Sequence, residues 1–126
     1  MKIVILHRIP YSKARYGSVI DHTVHDVTYV CRQGGGTDLP LEFNKRVLDA
    51  DSFDAQKLGT ELGDLLSSCD RLIARSEYDL IPAATLRDRF GIAGDGLDGI
   101  RPMRDKLMMR RRCAQAGVTQ PQFWAA

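Results

Sequence analysis

A continuous apolar run near the start of the chain restricts the folds that it can adopt. The segment Ile3–Leu6 reads Ile-Val-Ile-Leu, and the polar residues His7 and Arg8 follow it directly. A strand that is apolar on both faces is typical of the middle of a parallel sheet, where helices or loops cover both sides. Parallel strands need long crossover connections, so this run predicts an α/β protein.

Three further segments have strand-like patterns. Val27–Cys31 is rich in β-branched and aromatic residues, and Arg71–Ala74 is a short run with two apolar residues at its centre. Arg46–Leu48 is a weaker candidate for a third strand. A short helix is expected near Tyr16–Asp21, between the first two strands.

Helices are predicted where apolar residues recur with helical spacing and capping residues flank them. Asp51 and Ser52 offer N-cap chemistry to the first helix, whose apolar face includes Phe53. Asp79 is predicted to cap the second helix, because Pro82 then falls in its first turn, where a missing N–H does no harm. The predicted helices run from Phe53 to Ser67, from Asp79 to Phe90, where Gly91 ends the helix, and from Pro102 to a C′ glycine at Gly117.

The alternation of strands and helices predicts a small Rossmann-like, doubly wound, mostly parallel sheet over residues 1–97. The remaining residues, 98–126, are expected to form a C-terminal helix and the start of a further unit. With 126 residues, of which 44% are hydrophobic, the chain is long enough for one such core.

Composition excludes several classes of protein. No apolar run approaches the roughly 20 residues of a membrane span, so no membrane association is expected. The net charge of +2 is too small to indicate a nucleic-acid partner. The three cysteines form no Cys-x-x-Cys pair, so we expect no disulfide framework and no zinc knuckle, and the cytoplasm is the expected location. His22 and His25 are three residues apart but have no third ligand nearby, so no metal site is expected.

Charged residues collect where the predicted parallel strands end, which is where ligands bind in open α/β sheets. Arg8 follows the first strand, Arg32 and the glycines Gly34–Gly36 follow the second, and Glu77 follows the strand that ends near Ala74. Arginine pairs with carboxylates and glutamate with ammonium groups, so Arg8, Arg32 and Glu77 are candidate substrate ligands. The alternative is that these are ordinary solvated strand ends. No catalytic nucleophile is recognisable.

Four short motifs occur in order within about residues 70–121. They are Ser-Glu-Tyr-Asp at Ser76–Asp79, Phe-Gly-Ile-Ala-Gly at Phe90–Gly94, Arg-Asp-Lys at Arg104–Lys106, and Ala-Gly-Val-Thr-Gln-Pro at Ala116–Pro121. Together they resemble the N-terminal part of ATP-grasp ligases, including the pre-ATP-grasp domain and the first linker helix. The chain has Ala93 where the family's turn has proline.

The resemblance implies roles for individual residues. The lysine of the Arg-Asp-Lys motif contacts ATP phosphate in the family, and its match here is Lys106. Glu77 matches a position that contributes to the acceptor-substrate site. Such ligases use ATP and Mg²⁺ to activate a carboxylate as an acyl-phosphate, which an amine or a thiol then attacks.

The same resemblance implies that part of the machinery lies outside these 126 residues. In the family a two-lobed half that clamps ATP and ligates Mg²⁺ follows the region matched here. This chain by itself is therefore expected to be inactive and to hold no cofactor tightly. Its expected partners are the missing ATP-grasp domain and small carboxylate and amine substrates. Apolar residues left uncovered would also favour self-association: Met103, Leu107, Phe123 and Trp124.

Two other functions compete with this interpretation. One is a non-catalytic Rossmann-like module that binds a small molecule or a protein, in which residues 101–126 fold stably against the domain. The other is a nucleic-acid binder that uses Arg101–Arg112, where six basic residues accompany one acid. That segment lacks interleaved aromatic residues, which weakens the case for nucleic acid.

Overall fold

The computed structural model describes residues 1–125. Its four strands form one all-parallel sheet with the order β3-β2-β1-β4, which confirms the predicted α/β class. The third strand lies about two residues earlier than its pattern predicts, because its pairing with β2 sets its limits. The strands are β1 (Lys2–His7), β2 (Asp26–Cys31), β3 (Asn44–Val47) and β4 (Arg71–Ala74).

Five helices accompany the sheet in the described part of the chain, together with two 3₁₀ turns. The first of these turns, Tyr16–Ser18, stands where a short helix was expected, and the second is Glu77–Asp79. The helices are α1 (Ala55–Glu61), α2 (Gly63–Ser67), α3 (Leu80–Phe90), α4 (Leu97–Arg104) and α5 (Lys106–Gln115).

The apolar first strand lies inside the sheet, as its pattern predicts. It pairs with β2 on one side and β4 on the other, and residues 3–7 are all buried. Alternate β1 side chains enter two separate cores. Val4 and Leu6 pack with residues of α1, α2 and α3, while Ile3 and Ile5 pack with Tyr29 and the segments around Tyr16 and Leu39.

The first predicted helix differs from the structure at its start and in its middle. Asp54, not Asp51 or Ser52, caps α1, because its carboxylate accepts the N–H of Lys57 at 2.9 Å. Phe53 therefore precedes the helix, although it is buried in the core. The helix also breaks at Leu62 (φ −119°, ψ 17°), so the single predicted helix is two, α1 and α2.

The prediction that Asp79 caps α3 is wrong in its chemistry. Asp79 occupies the residue before the helix, but its side chain makes no capping hydrogen bond. Its carboxylate accepts from Arg8 instead. The other end of α3 is as predicted, since Gly91 follows Phe90 in the left-handed conformation (φ 65°), which favours glycine.

The predicted C-terminal helix is also two helices. Asp105 is extended (φ −95°, ψ 108°), and its carboxylate caps α5 through the N–H groups of Leu107 and Met108. Pro102 lies inside α4 rather than at its start, so no N–H points at the carbonyl of Asp98. The Arg112 guanidinium donates to that carbonyl instead, at 3.4 Å.

The order of the strands places a switch point between β1 and β4. After β1 the chain runs across the face that carries Ile3 and Ile5, whereas after β4 it continues into α3 on the opposite face. Connections that leave neighbouring strands in opposite directions open a crevice at their carboxyl ends. No helix in the described residues is long and apolar enough to cross a membrane.

Candidate functional site at the carboxyl edge of the sheet

An internal ion pair fills the crevice at the switch point. Arg8 follows β1 and Asp79 precedes α3, and the Arg8 Nε and Nη2 atoms donate to the Asp79 carboxylate at 2.7–2.9 Å. Asp79 is completely buried, and the Arg8 guanidinium lies over the rings of Phe53 and Tyr78, 5.6 and 5.5 Å from their centroids. The hydrogen bond to Asp79 raises the pKa of Arg8, and burial opposes that shift.

The open cavity of this edge lies one strand over, beyond the ends of β1 and β2. It has a volume of about 330 Å³, and both Arg8 and Arg32 line it. The glycine loop Gly34–Gly36 forms one of its walls. The structure thus brings together two of the three residues that were predicted as substrate ligands.

Both guanidiniums are held in place and still have N–H groups to offer. The Arg32 Nη1 atom donates to the carbonyl of Asp51 at 2.8 Å, which anchors the side chain against the segment before α1. Within residues 1–125, the Nη1 atom of Arg8 and the Nε and Nη2 atoms of Arg32 donate to no protein acceptor. Two anchored guanidiniums with spare donors can hold an anion, above all a planar carboxylate.

A histidine–carboxylate pair lies in the same cavity wall. The His7 Nε2 atom is 3.0 Å from the Asp38 Oδ1 atom, and the backbone N–H of Tyr11 donates to Oδ2 at 2.7 Å. Burial of Asp38 favours its neutral form, but the hydrogen bonds from Tyr11 and His7 outweigh this and lower its pKa. The carboxylate is therefore ionised at neutral pH and accepts a hydrogen bond from the Nε2 side of the His7 ring, which faces it.

The other ring nitrogen of His7 has no partner. The His7 side chain is only 4% exposed, and its Nδ1 atom is buried without a hydrogen bond to any described residue. Buried polar atoms are nearly always paired with protein or water. His7 Nδ1 is the one buried side-chain nitrogen or oxygen without a partner in the part of the chain that the structure describes.

The glycine loop is tied down at its far end. The Lys45 ammonium donates to the carbonyl of Gly36 at 3.1 Å. Two residues after Gly36, the contact between Asp38 and His7 holds the chain again. Gly36 has φ 83°, and a Cβ atom there would lie 2.7 Å from the Cys31 sulfur. The loop follows the sheet so closely at this point that only glycine fits.

The remaining two predicted site residues lie apart from this cavity. Glu77 is in the 3₁₀ turn before α3, where its exposed carboxylate pairs with Arg104 at 3.1 Å. Lys106 is exposed and is the first residue of α5. Asp105 already occupies the N–H groups at that helix end, so Lys106 can offer an anion only its ammonium group.

Sequence reasoning missed Asp38 and the partner of Arg8. Asp38 is 31 residues from His7, and Asp79 is 71 residues from Arg8, so no local pattern links them. The available signal was the position of Asp38 two residues after the glycines of a loop at a strand end. Within residues 1–125, no three histidine, cysteine or acidic side chains cluster in a way that could hold a metal ion.

Comparisons with known proteins add no assignment. No protein-family model matches this chain, and no curated protein is similar enough to count as a relative.

Proposed function

We propose that this chain is the substrate-side domain of an ATP-dependent carboxylate ligase of the ATP-grasp type. In this role it holds a small carboxylate between Arg8 and Arg32. The observation that carries the proposal is the cavity beyond β1 and β2, which Arg8 and Arg32 both line. The four motifs between residues 70 and 121 support the ligase part.

The cavity suits a small anion better than a nucleotide. About 330 Å³ lies at the lower end of the range for ligand pockets. The glycine loop between Arg32 and Asp38 does not lead into a helix, so it lacks the aligned N–H groups that bind phosphates in dinucleotide folds. A compact carboxylate matches both the size and the spare donors of the two guanidiniums.

The ATP of such a ligase would meet this chain at Lys106. The side chain is exposed and flexible, and a lysine acts toward phosphate as a point charge. ATP with Mg²⁺ supplies the phosphoryl group that activates the carboxylate. In the ligases that the four motifs resemble, the ATP-binding half ligates Mg²⁺, and we assign the metal to that half.

Two further observations bear on the alternatives. Met103 and Trp124 are 65% and 82% exposed, which supports a surface that another domain covers. Asp105 caps the start of α5, which removes backbone donors that phosphate could use and favours the non-catalytic binding module. The ligase and the binding module would both use the carboxylate cavity, but only the ligase would turn over ATP.

The test is carboxylate-dependent ADP release by the product of the complete reading frame that contains this chain. The Arg32→Gln variant is expected to raise the KM for the carboxylate, and Lys106→Ala to raise the KM for ATP. Arg111→Ala, an exposed change on the same helix as Lys106, is the matched control. ADP release that ignores every small carboxylate, or that is unaffected by both variants, would exclude the ligase function.

A further inference from the structure

We infer that a second cavity, on the face of the sheet that carries Ile3 and Ile5, binds an organic cation such as an alkylammonium group. This inference does not depend on the proposed function. The cavity has a volume of about 600 Å³ and lies between the Tyr16–Ser18 turn and the segment that precedes β3. Its lining residues include Tyr11, Gly17, Asp21, His22, Glu42 and Phe43.

Aromatic rings form one wall of this cation cavity. The His22 ring stacks on Phe43 with centroids 4.0 Å apart and planes 7° apart, and Tyr11 meets Phe43 edge-on at 5.9 Å. Phe43 is only partly buried, so part of its surface faces the cavity. Aromatic faces attract cations because their electron density is concentrated above and below the ring.

Hydrogen bonds hold this wall in one arrangement. The His22 Nδ1 atom donates to the carbonyl of Ile20 at 2.8 Å, and the Tyr29 hydroxyl donates to His22 Nε2 at 2.9 Å. Burial raises the pKa of Tyr29, so its hydroxyl keeps the proton that this bond needs. The His22 ring is thus fixed beside Tyr29 and against Phe43 before any ligand arrives.

The charges that line the cation cavity are all negative. The acidic residues Asp21 and Glu42 belong to the lining, which contains no lysine or arginine, although the chain as a whole has an excess of basic residues. The hydroxyl and N–H of Thr23 hold Asp21 in place and lower its pKa, so it remains ionised well below neutral pH. Two carboxylates beside aromatic rings favour a cationic ligand over a neutral or anionic one.

The cation cavity stays open partly because residue 17 is a glycine. A Cβ atom at Gly17 would lie 2.6 Å from the Tyr11 hydroxyl and 3.1 Å from the Phe43 ring. A side chain there would displace the aromatic wall. Glycine at this position keeps the chain close to the rings without filling the cavity.

The experiment is an NMR titration of the ¹⁵N-labelled protein with choline and, separately, with 3,3-dimethylbutan-1-ol, its neutral counterpart of the same shape. Choline is expected to shift the amides of residues 17–23 and to bind about two- to fivefold more tightly than the alcohol, as one exposed cation–aromatic contact implies. Equal binding of the two compounds, or shifts confined to other parts of the chain, would overturn the inference.

Variants test the same point from the protein side. Glu42→Gln removes an exposed charge from the cavity and is expected to weaken choline binding about two- to fivefold while leaving the alcohol unaffected. Phe43→Leu is expected to weaken choline binding as well. Glu61→Gln, an equally conservative change of an exposed acid on α1, serves as the control. Choline binding that is the same in Glu42→Gln and Glu61→Gln would contradict a cation site here.

Discussion

Arg8 and Asp79 form a bidentate ion pair, with the Arg8 Nη2 atom 2.7 Å from Asp79 Oδ1 and the Nε atom 2.8 Å from Oδ2. The pair joins the end of β1 to the start of α3 across the switch point of the sheet. It leaves the neighbouring cavity, beyond β1 and β2, as the open part of the carboxyl edge. The candidate site thus lies beside the point where Arg8 neutralises the buried carboxylate of Asp79, and not at that point.

Removing the charge of Asp79 is expected to destabilise the fold strongly. Asp79 is fully buried, so Asp79→Asn leaves the Arg8 guanidinium without its counter-charge. Breaking a buried pair in this way costs about 3 kcal/mol or more. Urea unfolding measures the loss, and Asp64→Asn, an exposed acid on α2, should change stability by less than about 0.5 kcal/mol. Similar values for the two variants would mean that the pair contributes little.

The Asp38 carboxylate makes part of the folding stability depend on pH. Its folded pKa lies below the ordinary value of 3.8, so its contribution is complete above that pH and is lost as the pH falls through the lower folded pKa. Asp38→Asn keeps an acceptor for the Tyr11 N–H but cannot titrate. Urea midpoints measured between about pH 6 and pH 2.5 should therefore fall less in the variant than in the parent protein. Parallel pH profiles would be the contrary result.

Two glycines of the cavity loop should respond differently to alanine. Gly34 and Gly36 both have positive φ angles, 71° and 83°, so the backbone strain of the substitution is similar, about 1–2 kcal/mol. A Cβ atom at Gly34 meets nothing within 4 Å, whereas one at Gly36 collides with the Cys31 sulfur. Gly36→Ala should therefore lower the urea midpoint more than Gly34→Ala. Equal midpoints would show that the loop moves aside at no cost.

Loss of one capping aspartate should lower global stability, whereas loss of the other should affect only its own helix. Asp54→Ala removes the cap of α1, which carries the buried Leu58, and is expected to lower global stability by about 1 kcal/mol. Asp105→Ala removes the cap of α5, which has no buried residue, so amide exchange should quicken in residues 107–115 with little change in global stability. Global destabilisation by Asp105→Ala as large as that by Asp54→Ala would contradict this picture.

The parts of the fold that sequence predicted well are those with a strong apolar pattern. The strands β1, β2 and β4 and the end of α3 at Gly91 are close to their predicted limits. By contrast, all four residues of β3 are exposed, so its position depends on pairing with β2 and not on its own pattern. The helix break at Leu62 was not predicted, because the apolar residues keep their helical spacing across it. The break at Asp105 was not predicted either, because the basic residues on both sides of this aspartate obscure its role as a helix cap.

The candidate site was predicted only in part, for a related reason. Strand ends can be located from sequence, so Arg8 and Arg32 were correctly placed at one edge of the sheet. Which side chains meet there depends on long-range contacts, and those direct Glu77 toward Arg104 and Asp79 toward Arg8. The Asp38 contact with His7 depends on a glycine loop whose path no local pattern specifies.

The most direct test of the carboxylate cavity is an NMR titration of the ¹⁵N-labelled chain with acetate and with acetamide, its neutral counterpart. A carboxylate site in this cavity predicts that acetate, but not acetamide, shifts the amides of Arg8 and residues 32–37. It also predicts that Arg32→Gln weakens acetate binding about tenfold, as expected for a lost hydrogen bond between charged groups. Arg46→Gln, on the exposed strand β3, should leave acetate binding unchanged. Identical shifts with acetate and acetamide, or undiminished acetate binding in Arg32→Gln, would contradict it.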